Sequence, residues 1–469
     1  MVYFTESADV VLVGGGIANI MCALKFVGTD RKVLLIEQGN DIYHRKCPKL
    51  TTGKCVNCTN CNITTGFGGA GFFSDCKLTY SSEVGGDVAD YIGKDTFNRL
   101  LTEVSDTFTE FGAREEYVYN EEFANSFQYE CSKYGLRLTK YPVRHLGTDG
   151  AYDVMTNIYD ALKAADNIMV MCNVRNVTID FKDKIVGFSK ANSHFAYKAG
   201  YISIAVGRSG SEWLSNLCKE QGVKISAGLV DLGVRVECPR AITDKVTDNL
   251  YDFKVSYNSS TGCNCRTFCV NPGGHVVSEV YANDSTDAIK CVNGHSFAEN
   301  ESPSTNFAIL VSCLFTEPFN QPIEYAKRVC SLVNMLADNK PMVQRLVDLQ
   351  ANKRTNKERY KRVIFDPTLE GAEPGDLRYA FPSKIIDSVL EFLDKLDNVI
   401  PGISSPGNST ILYGPECKFS SAKIELNQKL QNDKYPNIYF AGDSAGISRG
   451  IMQAAVAGKF IAEDILKGE

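Results

Sequence analysis

The fold of this chain is decided by the stretch Val10-Val11-Leu12-Val13-Gly14-Gly15-Gly16-Ile17-Ala18-Asn19. Its apolar first part predicts a buried β-strand, and the three glycines predict a tight turn into a helix that begins near Ile17. Glycine lets the backbone approach a pyrophosphate, whose negative charge is stabilised at the helix N-terminus. A second strand, Val33 to Ile36, is followed by Glu37, at the distance expected for an acidic residue that binds a ribose hydroxyl. The stretch therefore predicts a Rossmann-like dinucleotide site.

One position departs from the usual glycine pattern. Asn19 stands where the third glycine is expected. We expect this asparagine either to loosen the packing of the helix on the strand or to bring its side-chain amide into the turn.

The segment Tyr439 to Ala457 completes the predicted site near the other end of the chain. The strand Ile438 to Ala441 leads to Gly442 and Asp443, and Asp443 is suited to accept hydrogen bonds from ribityl hydroxyls. The turn from Gly446 to Gly450 then enters a helix, whose first amides would stabilise the negative charge of a reduced flavin ring. Together the two segments predict that the dinucleotide is FAD.

Composition and length predict a globular protein of two joined domains. The chain has 469 residues, of which 44% are hydrophobic, and this length exceeds what one core usually supports. A net charge of -6 gives no electrostatic basis for non-specific nucleic-acid binding. No apolar run is long enough to cross a bilayer, and the first strand begins within ten residues of Met1, which leaves no room for a secretory signal. We expect a cytoplasmic protein that does not bind membranes.

The predicted fold class is α/β, with a discontinuous FAD-binding domain. Its two parts are residues 1–225 and 431–469, and a substrate domain of mixed antiparallel sheet and helices occupies residues 226–430. The alternation from Val230 to Glu237 predicts antiparallel strands with one polar face, and residues 322–349 are rich in helix formers.

Three further segments carry a family resemblance: Phe67-Gly68-Gly69-Ala70-Gly71-Phe72-Phe73-Ser74-Asp75-Cys76-Lys77-Leu78, residues 265–274 and residues 412–416. With them, the chain resembles a largely uncharacterised family of FAD-dependent dehydrogenases within the glutathione-reductase-like superfamily, in which glycine usually replaces Cys76. The resemblance implies that residues 67–78 lie against the isoalloxazine ring, and a run of glycines would let backbone amides pack on a flat ring.

From the motifs and the resemblance we predict a set of cofactor-binding residues. They are Gly14, Gly15, Gly16, Ile17, Ala18, Asn19, Glu37, Gln38, Arg45, Gly69, Ala70, Gly71, Phe72, Ser74, Asp75, Val174, Ala205, Gly207, Gly442, Asp443, Gly446, Ile447, Arg449, Gly450 and Ile451.

A cysteine group follows the second strand. Cys47, Cys55, Cys58 and Cys61 are candidate metal ligands, because two-residue gaps let thiolates converge on one ion. Four sulfurs would hold zinc or an iron-sulfur cluster. A dithiol relay that exchanges electrons with the flavin, and a loop of free thiols, remain alternatives.

Four residues are candidates for the chemistry. His145 could manage a proton, and Arg144 beside it could bind a carboxylate through two hydrogen bonds. Arg266 is a further candidate for anion binding, and Cys269 is a candidate redox thiol.

These patterns favour an FAD-dependent oxidoreductase. The substrate would be a polar small molecule that bears a carboxylate or an amine and transfers a hydride to flavin N5, and the electrons would pass to an unidentified acceptor. No second glycine fingerprint predicts a nicotinamide domain. One alternative is an FAD-dependent lyase that oxidises an amino-acid adduct on a modified nucleobase, with DNA as the partner. Another is an FAD- and metal-binding redox sensor without turnover.

Overall fold

The computed structural model describes most of the chain. The described residues are 5–48, 58, 60–73, 76–226, 228, 230–281, 289–296, 301–313, 315, 318–319, 321–405, 410–419 and 421–468. The chain divides into two compact units. Unit 1 comprises Met1–Glu116, Arg144–Ser226 and Ser421–Glu469, and unit 2 comprises Tyr117–Val143 and Ala227–Ser420.

The described strands, in chain order, are β1 (Thr5–Val13), β2 (Val33–Ile36), β3 (Lys77–Thr79), β4 (Arg137–Thr139), β5 (Val143–His145), β6 (Ile168–Met171), β7 (Val174–Asp180), β8 (Ile185–Lys190), β9 (Ser193–Ile204), β10 (Ile225–Ser226), β11 (Val230–Pro239), β12 (Lys254–Asn258), β13 (Asn264–Pro272), β14 (His275–Tyr281), β15 (Ile289–His295), β16 (Ser304–Cys313), β17 (Met342–Arg345), β18 (Glu373–Pro374), β19 (Ile411–Phe419), β20 (Lys423–Ile424), β21 (Gln431–Asn432) and β22 (Tyr435–Phe440).

The described α-helices are α1 (Ile17–Lys25), α2 (Val88–Ile92), α3 (Lys94–Glu110), α4 (Glu121–Lys133), α5 (Gly147–Ala164), α6 (Ser211–Glu220), α7 (Asp244–Leu250), α8 (Pro322–Leu336), α9 (Leu346–Gln350), α10 (Lys357–Tyr360), α11 (Ser383–Asp397) and α12 (Ile451–Lys467).

Unit 1 is built on a mainly parallel sheet. Its strand order is β21-β22-β9-β1-β2-β6, and β8 pairs antiparallel with β9 and with β7. The five strands from β22 to β6 are parallel, so their carboxyl ends lie at one edge of the sheet. Residues Val10 to Val13 are buried because helices cover the sheet. The predicted α/β fold class is confirmed.

Unit 2 is built on an eight-stranded sheet of order β18-β17-β19-β11-β16-β13-β12-β4, in which only β17 and β18 pair in parallel. Along β11, Leu232 and Val234 face a core that also contains residues of α8 and α11. Asp231 and Arg235 alternate with them and form hydrogen bonds with other polar side chains. The alternation predicted from Val230 to Glu237 therefore corresponds to one apolar and one polar face, although the polar side chains are also buried.

The division differs from the predicted boundaries in two places. Residues 117–143 belong to unit 2 because β4 pairs with β12, and residues 421–430 belong to unit 1 because β20 pairs with β10. The helix-rich stretch 322–349 is also not one helix. It breaks after Leu336, where Asp338 and Asn339 adopt positive φ, and β17 follows.

Candidate functional site

The first glycine turn lies at the carboxyl edge of the parallel sheet of unit 1. Gly14 has φ +101°, and a Cβ there would overlap the carbonyl oxygen of Ala205. Gly16 is the N-cap of α1, and no described side chain caps this helix end. The first backbone N–H groups of α1 are thus left for an anion, which is the arrangement that binds a pyrophosphate.

Asn19 brings its side-chain amide into the turn. Its Nδ2 donates to the carbonyl oxygens of Val13 and Gly14, both at 2.9 Å, and its Oδ1 accepts from the Ser203 hydroxyl at 2.7 Å. The side chain is 0% exposed. Of the two expectations for this position, the structure shows the recruited amide, which ties the turn to β9.

Glu37 follows β2 and faces the same turn. Its Oε2 accepts from the Gly15 N–H at 2.7 Å, and its Oε1 accepts from the Gly39 N–H at 2.8 Å. A carboxylate has about four acceptor positions, so each oxygen can accept a further donor such as a ribose hydroxyl.

A second glycine run packs against the first. The Gly68 N–H donates to the Gly15 carbonyl at 2.9 Å, and Gly68 and Gly16 form a parallel bridge. Gly69 has φ +71°, and a Cβ there would lie 3.3 Å from the Gly16 Cα. At Gly71 a Cβ would lie 2.7 Å from Ile451 Cγ1, at the start of α12. The structure therefore brings together three segments whose cofactor role was predicted separately.

Arg45 holds the loop that carries this second run. Its guanidinium donates to the carbonyls of Asn62, Ile63, Phe67 and Gly69 at 2.7–2.9 Å. Burial lowers the pKa of Arg45 to about 10, and the nearby charge of Glu37 partly offsets the effect. Because its N–H groups donate to backbone carbonyls of the loop, Arg45 stabilises the conformation of that loop.

The C-terminal turn contains two buried oxygen atoms without a partner. Asp443 Oδ2 accepts from Arg208 Nε at 2.7 Å, whereas Oδ1 has no hydrogen-bond partner in the part of the chain that the structure describes. The same holds for the Ser448 hydroxyl. Unsatisfied buried polar atoms are rare in proteins and often mark a bound group. These two atoms fit the ribityl and ring ends of FAD.

Residues 85–87 clamp this turn, and sequence reasoning missed them. The Gly85 carbonyl accepts from the N–H groups of Arg449 at 2.6 Å and Gly450 at 2.8 Å, and the Asp87 N–H donates to the Ile447 carbonyl at 2.8 Å. The Asp87 carboxylate also binds Lys423 Nζ at 3.1 Å. The Gly85-Gly86 pair directly before an aspartate was the available sequence signal.

The remaining predicted cofactor residues within the description all lie in unit 1. Ala205 and Gly207 follow β9, and Val174 donates its N–H to the Glu37 carbonyl at 3.0 Å. Ile17, Ala18, Phe72 and Ile447 are buried, whereas Gln38 is exposed. Gly442 and Gly446 adopt positive φ. Ala70 lies between the glycines of the second run, and Ser74 and Asp75 lie outside the described residues.

Arg144 has a structural environment that was not expected. It is 1% exposed, and its guanidinium donates to the carbonyl of Arg114 and to the hydroxyls of Tyr80, Ser105 and Thr109. Protein groups thus surround the guanidinium that was predicted to bind a substrate carboxylate. His145 is the next residue and the last of β5, and only Leu146 separates it from α5.

The other two candidates for the chemistry lie in unit 2. Arg266 forms an ion pair with Asp231 and donates to the Ser312 hydroxyl at 2.9 Å, so a buried carboxylate already neutralises it. Cys269 is half-buried at a β-bulge with φ +50°, and its sulfur accepts from Asn271 Nδ2 at 3.5 Å.

A buried charge network on β11 and β19 was also missed. Arg235 and Glu416 form an ion pair of 3.0 Å and are both 0% exposed, and Lys418 lies 3.0 Å from Glu416. Burial raises the pKa of Glu416, but the two cations outweigh it and hold that pKa below its usual value. A buried pair of this kind is no evidence of added stability, but it gives the polar face of unit 2 a defined charge pattern.

The predicted metal site is not supported. Among the residues that the structure describes, no group of three or more His, Cys, Asp or Glu side chains could hold a metal ion. Cys47, Cys58 and Cys61 are free thiols, and Cys55 lies outside the described residues.

The search for membrane segments gives a negative result within the described ranges. None of the helices there combines the length and the apolar character that crossing a bilayer requires.

Comparison with known proteins supports the flavin assignment. Residues 230–419 match the model of a family described as "FAD-dependent protein, C-terminal domain-like". A Clostridium beijerinckii protein named only as uncharacterized is 25% identical over an alignment of 481 positions, which spans 97% of this chain and 80% of that protein. The family match supports the prediction of an FAD-dependent oxidoreductase.

Two solved structures show a weak overall likeness. Glycine oxidase from Geobacillus kaustophilus has a TM-score of 0.41 at 11% identity, over 99% of this chain and 96% of that one. The p-nitrophenol 4-monooxygenase from Pseudomonas putida has a TM-score of 0.36 at 10% identity, over 99% and 80%. At these scores neither enzyme bears on the function of this chain.

Proposed function

We propose that this protein binds FAD through unit 1 and is an oxidoreductase that takes a hydride from a polar organic substrate. The observation that carries the proposal is the convergence of three segments in unit 1. The turn Gly14–Gly16 is joined to the run Gly68–Gly71 by a hydrogen bond and close approaches, and Gly71 lies directly against Ile451, which follows the turn Gly446–Gly450. Residues far apart in the chain thus build one glycine-lined site.

Each part of the site has a separate task. The N-terminus of α1 would bind the pyrophosphate, Glu37 the adenosine ribose and Asp443 the ribityl chain. Flavin, when bound, supplies the hydride acceptor. The N-terminus of α12 would stabilise the charge that reduction places on the ring.

The substrate class is part of the same proposal. We propose a small molecule with a carboxylate or an amine, and a separate electron acceptor that reoxidises the flavin.

Reconstitution with FAD tests this function. We expect a yellow protein with about one FAD per chain, whose flavin absorbance is bleached anaerobically by one or more compounds from a panel of carboxylates and amines. Asp443→Ala should reduce the FAD content. Asp433→Ala should not, because Asp433 is an exposed aspartate of unit 1 that accepts a hydrogen bond from the side chain of Asn427. A wild-type protein that stays colourless after reconstitution would contradict the proposal.

A further inference from the structure

Three charged side chains meet at the turn Gly446–Gly450 in unit 1. Asp87 Oδ2 lies 3.1 Å from Lys423 Nζ, and Asp87 Oδ1 lies 3.5 Å from Arg449 NH2. One carboxylate therefore bridges two cations, and the group carries one net positive charge.

Backbone contacts fix these three residues to the turn. The Asp87 N–H donates to the Ile447 carbonyl at 2.8 Å, and Gly86 and Ser448 form an antiparallel bridge. A Cβ at Gly446 would lie 2.7 Å from the Lys423 Cα, so β20 runs directly against the turn. Arg449 belongs to the turn itself. The charges are thus held at this turn by the backbone as well as by their ion pairs.

The turn carries further positive potential and an independent sign of a ligand. It ends at the N-terminus of α12, a 17-residue helix with no acidic residue in its first turn. The positive end of that helix dipole adds to the charge of the two cations. The buried Ser448 hydroxyl in the same turn has no hydrogen-bond partner among the described residues. An unsatisfied hydroxyl beside a helix N-terminus points to a bound acceptor or donor group.

Lys423 stays charged at neutral pH. Burial lowers its pKa, but the hydrogen bond and the charge of Asp87 outweigh burial and hold that pKa above its usual value. Its side chain is about two-fifths exposed, so salt partly screens its field.

We propose that Lys423 and Arg449, balanced by Asp87, set the reduction potential of the flavin through their net positive charge at this turn. The inference rests on the proposed function, because it requires FAD in unit 1. Hydride transfer from the substrate would break one substrate–hydrogen bond and form one bond from the flavin ring to that hydrogen. The two electrons of the broken bond would move with the hydrogen, so the ring would gain one negative charge. Positive charge at the turn stabilises that product over the neutral reactant and raises the potential.

The test exploits the opposite signs of the three charges. The potential of the FAD-reconstituted protein is measured by anaerobic titration against redox dyes. We expect Lys423→Gln and Arg449→Gln each to shift the potential to more negative values, and Asp87→Asn to shift it to more positive values. The double variant Lys423→Gln, Asp87→Asn should return towards wild type. Each shift should shrink as the salt concentration rises.

A matched charge control lies at the other end of the same helix. Lys467 ends α12, about 24 Å from its first residue at a rise of about 1.5 Å per residue, which is beyond the screening length at physiological salt. It is exposed and pairs with Glu463. Lys467→Gln should leave the potential unchanged.

The outcomes separate this inference from the proposed function. A wild-type protein that takes up no FAD overturns both. If the variants bind flavin but their potentials equal that of wild type, only the charge role is overturned. The same holds if the potentials of Lys423→Gln and Asp87→Asn shift in the same direction, because an effect of damaged packing does not depend on the sign of the charge. If Lys423→Gln fails to bind FAD, the Asp87→Asn potential decides: a value at or below wild type refutes the inference.

Discussion

Gly14 and Gly28 are both glycines with positive φ, but only Gly14 approaches another backbone closely. A Cβ at Gly14 would overlap the Ala205 carbonyl, whereas a Cβ at Gly28 meets no atom within 4 Å. The matched substitutions therefore separate backbone strain from close approach. We expect Gly28→Ala to cost about 1–2 kcal/mol from the left-handed conformation alone. Gly14→Ala should cost about 1–3 kcal/mol more through overpacking and should abolish FAD binding.

Urea unfolding of the protein without cofactor gives the two stabilities, and the absorbance of bound flavin gives the FAD content. Equal losses of stability for the two variants, with full FAD content in Gly14→Ala, would contradict the close-approach argument.

The role of Asn19 shows what sequence reasoning could reach at this scale. The pattern identified the position and offered two outcomes, but the choice depended on Ser203, a partner 184 residues away. The Gly85-Gly86 pair before Asp87 marks a turn, but it does not identify what the aspartate binds, because its partner Arg449 is 362 residues away. Local sequence signals the strand, turn and helix, whereas tertiary contacts select the hydrogen-bond partners.

Helix α12 packs on α1 at one very close point. A Cβ at Gly458 would overlap the Ala18 carbonyl of α1. Gly150 offers a helical control in α5, because its Cβ would only reach the Leu146 Cβ at 3.8 Å. We expect Gly458→Ala to destabilise unit 1 by about 1–3 kcal/mol and to weaken FAD binding, because α1 carries the first glycine turn. Gly150→Ala should stabilise the protein by about 0.5–1 kcal/mol.

Calorimetric melting of both variants, with fluorescence titration of FAD, measures these effects. A melting temperature for Gly458→Ala at or above that of wild type would show that the two helices are free to separate.

The elements themselves were largely predictable from local patterns. Strand β2 has the predicted bounds, Val33–Ile36, because an apolar run between polar loops leaves little choice. Residues 322–349 are rich in helix formers, as noted from the sequence, but composition did not show where the first helix ends: it ends at Leu336, before the positive φ of Asp338 and Asn339. The short strand β17 then pairs with β19, a contact that composition does not encode.

At the scale of the whole molecule, unit 2 depends on a segment that lies far from the rest of it in sequence. Residues 117–143 contribute β4, which pairs with β12, and they contribute buried side chains to the core of unit 2: Ala124, Phe127, Cys131, Leu136 and Leu138. Each large apolar side chain contributes roughly 1.5–3 kcal/mol when buried. Their sum is comparable to the 5–15 kcal/mol that stabilises a typical domain.

We therefore expect residues 227–420 alone to lack a cooperative unfolding transition. Joining residues 117–143 to that fragment through a flexible glycine-serine linker should restore the transition. Circular dichroism during urea unfolding compares the two proteins, and a shuffled 117–143 segment of the same composition is the control. An equally cooperative transition in the shorter fragment would show that β4 and α4 are dispensable.

The segmented build of unit 1 has a consequence for the order of events during synthesis. Residues of α12 are translated after all of unit 2, yet α12 closes on α1, which emerged more than four hundred residues earlier. Until α12 has left the ribosomal exit tunnel, the nascent chain contains the predicted adenosine-binding turn of α1 but not the folded turn Gly446–Gly450. We therefore expect stable cofactor loading only after α12 has been synthesised, because α1 lacks its partner helix until then.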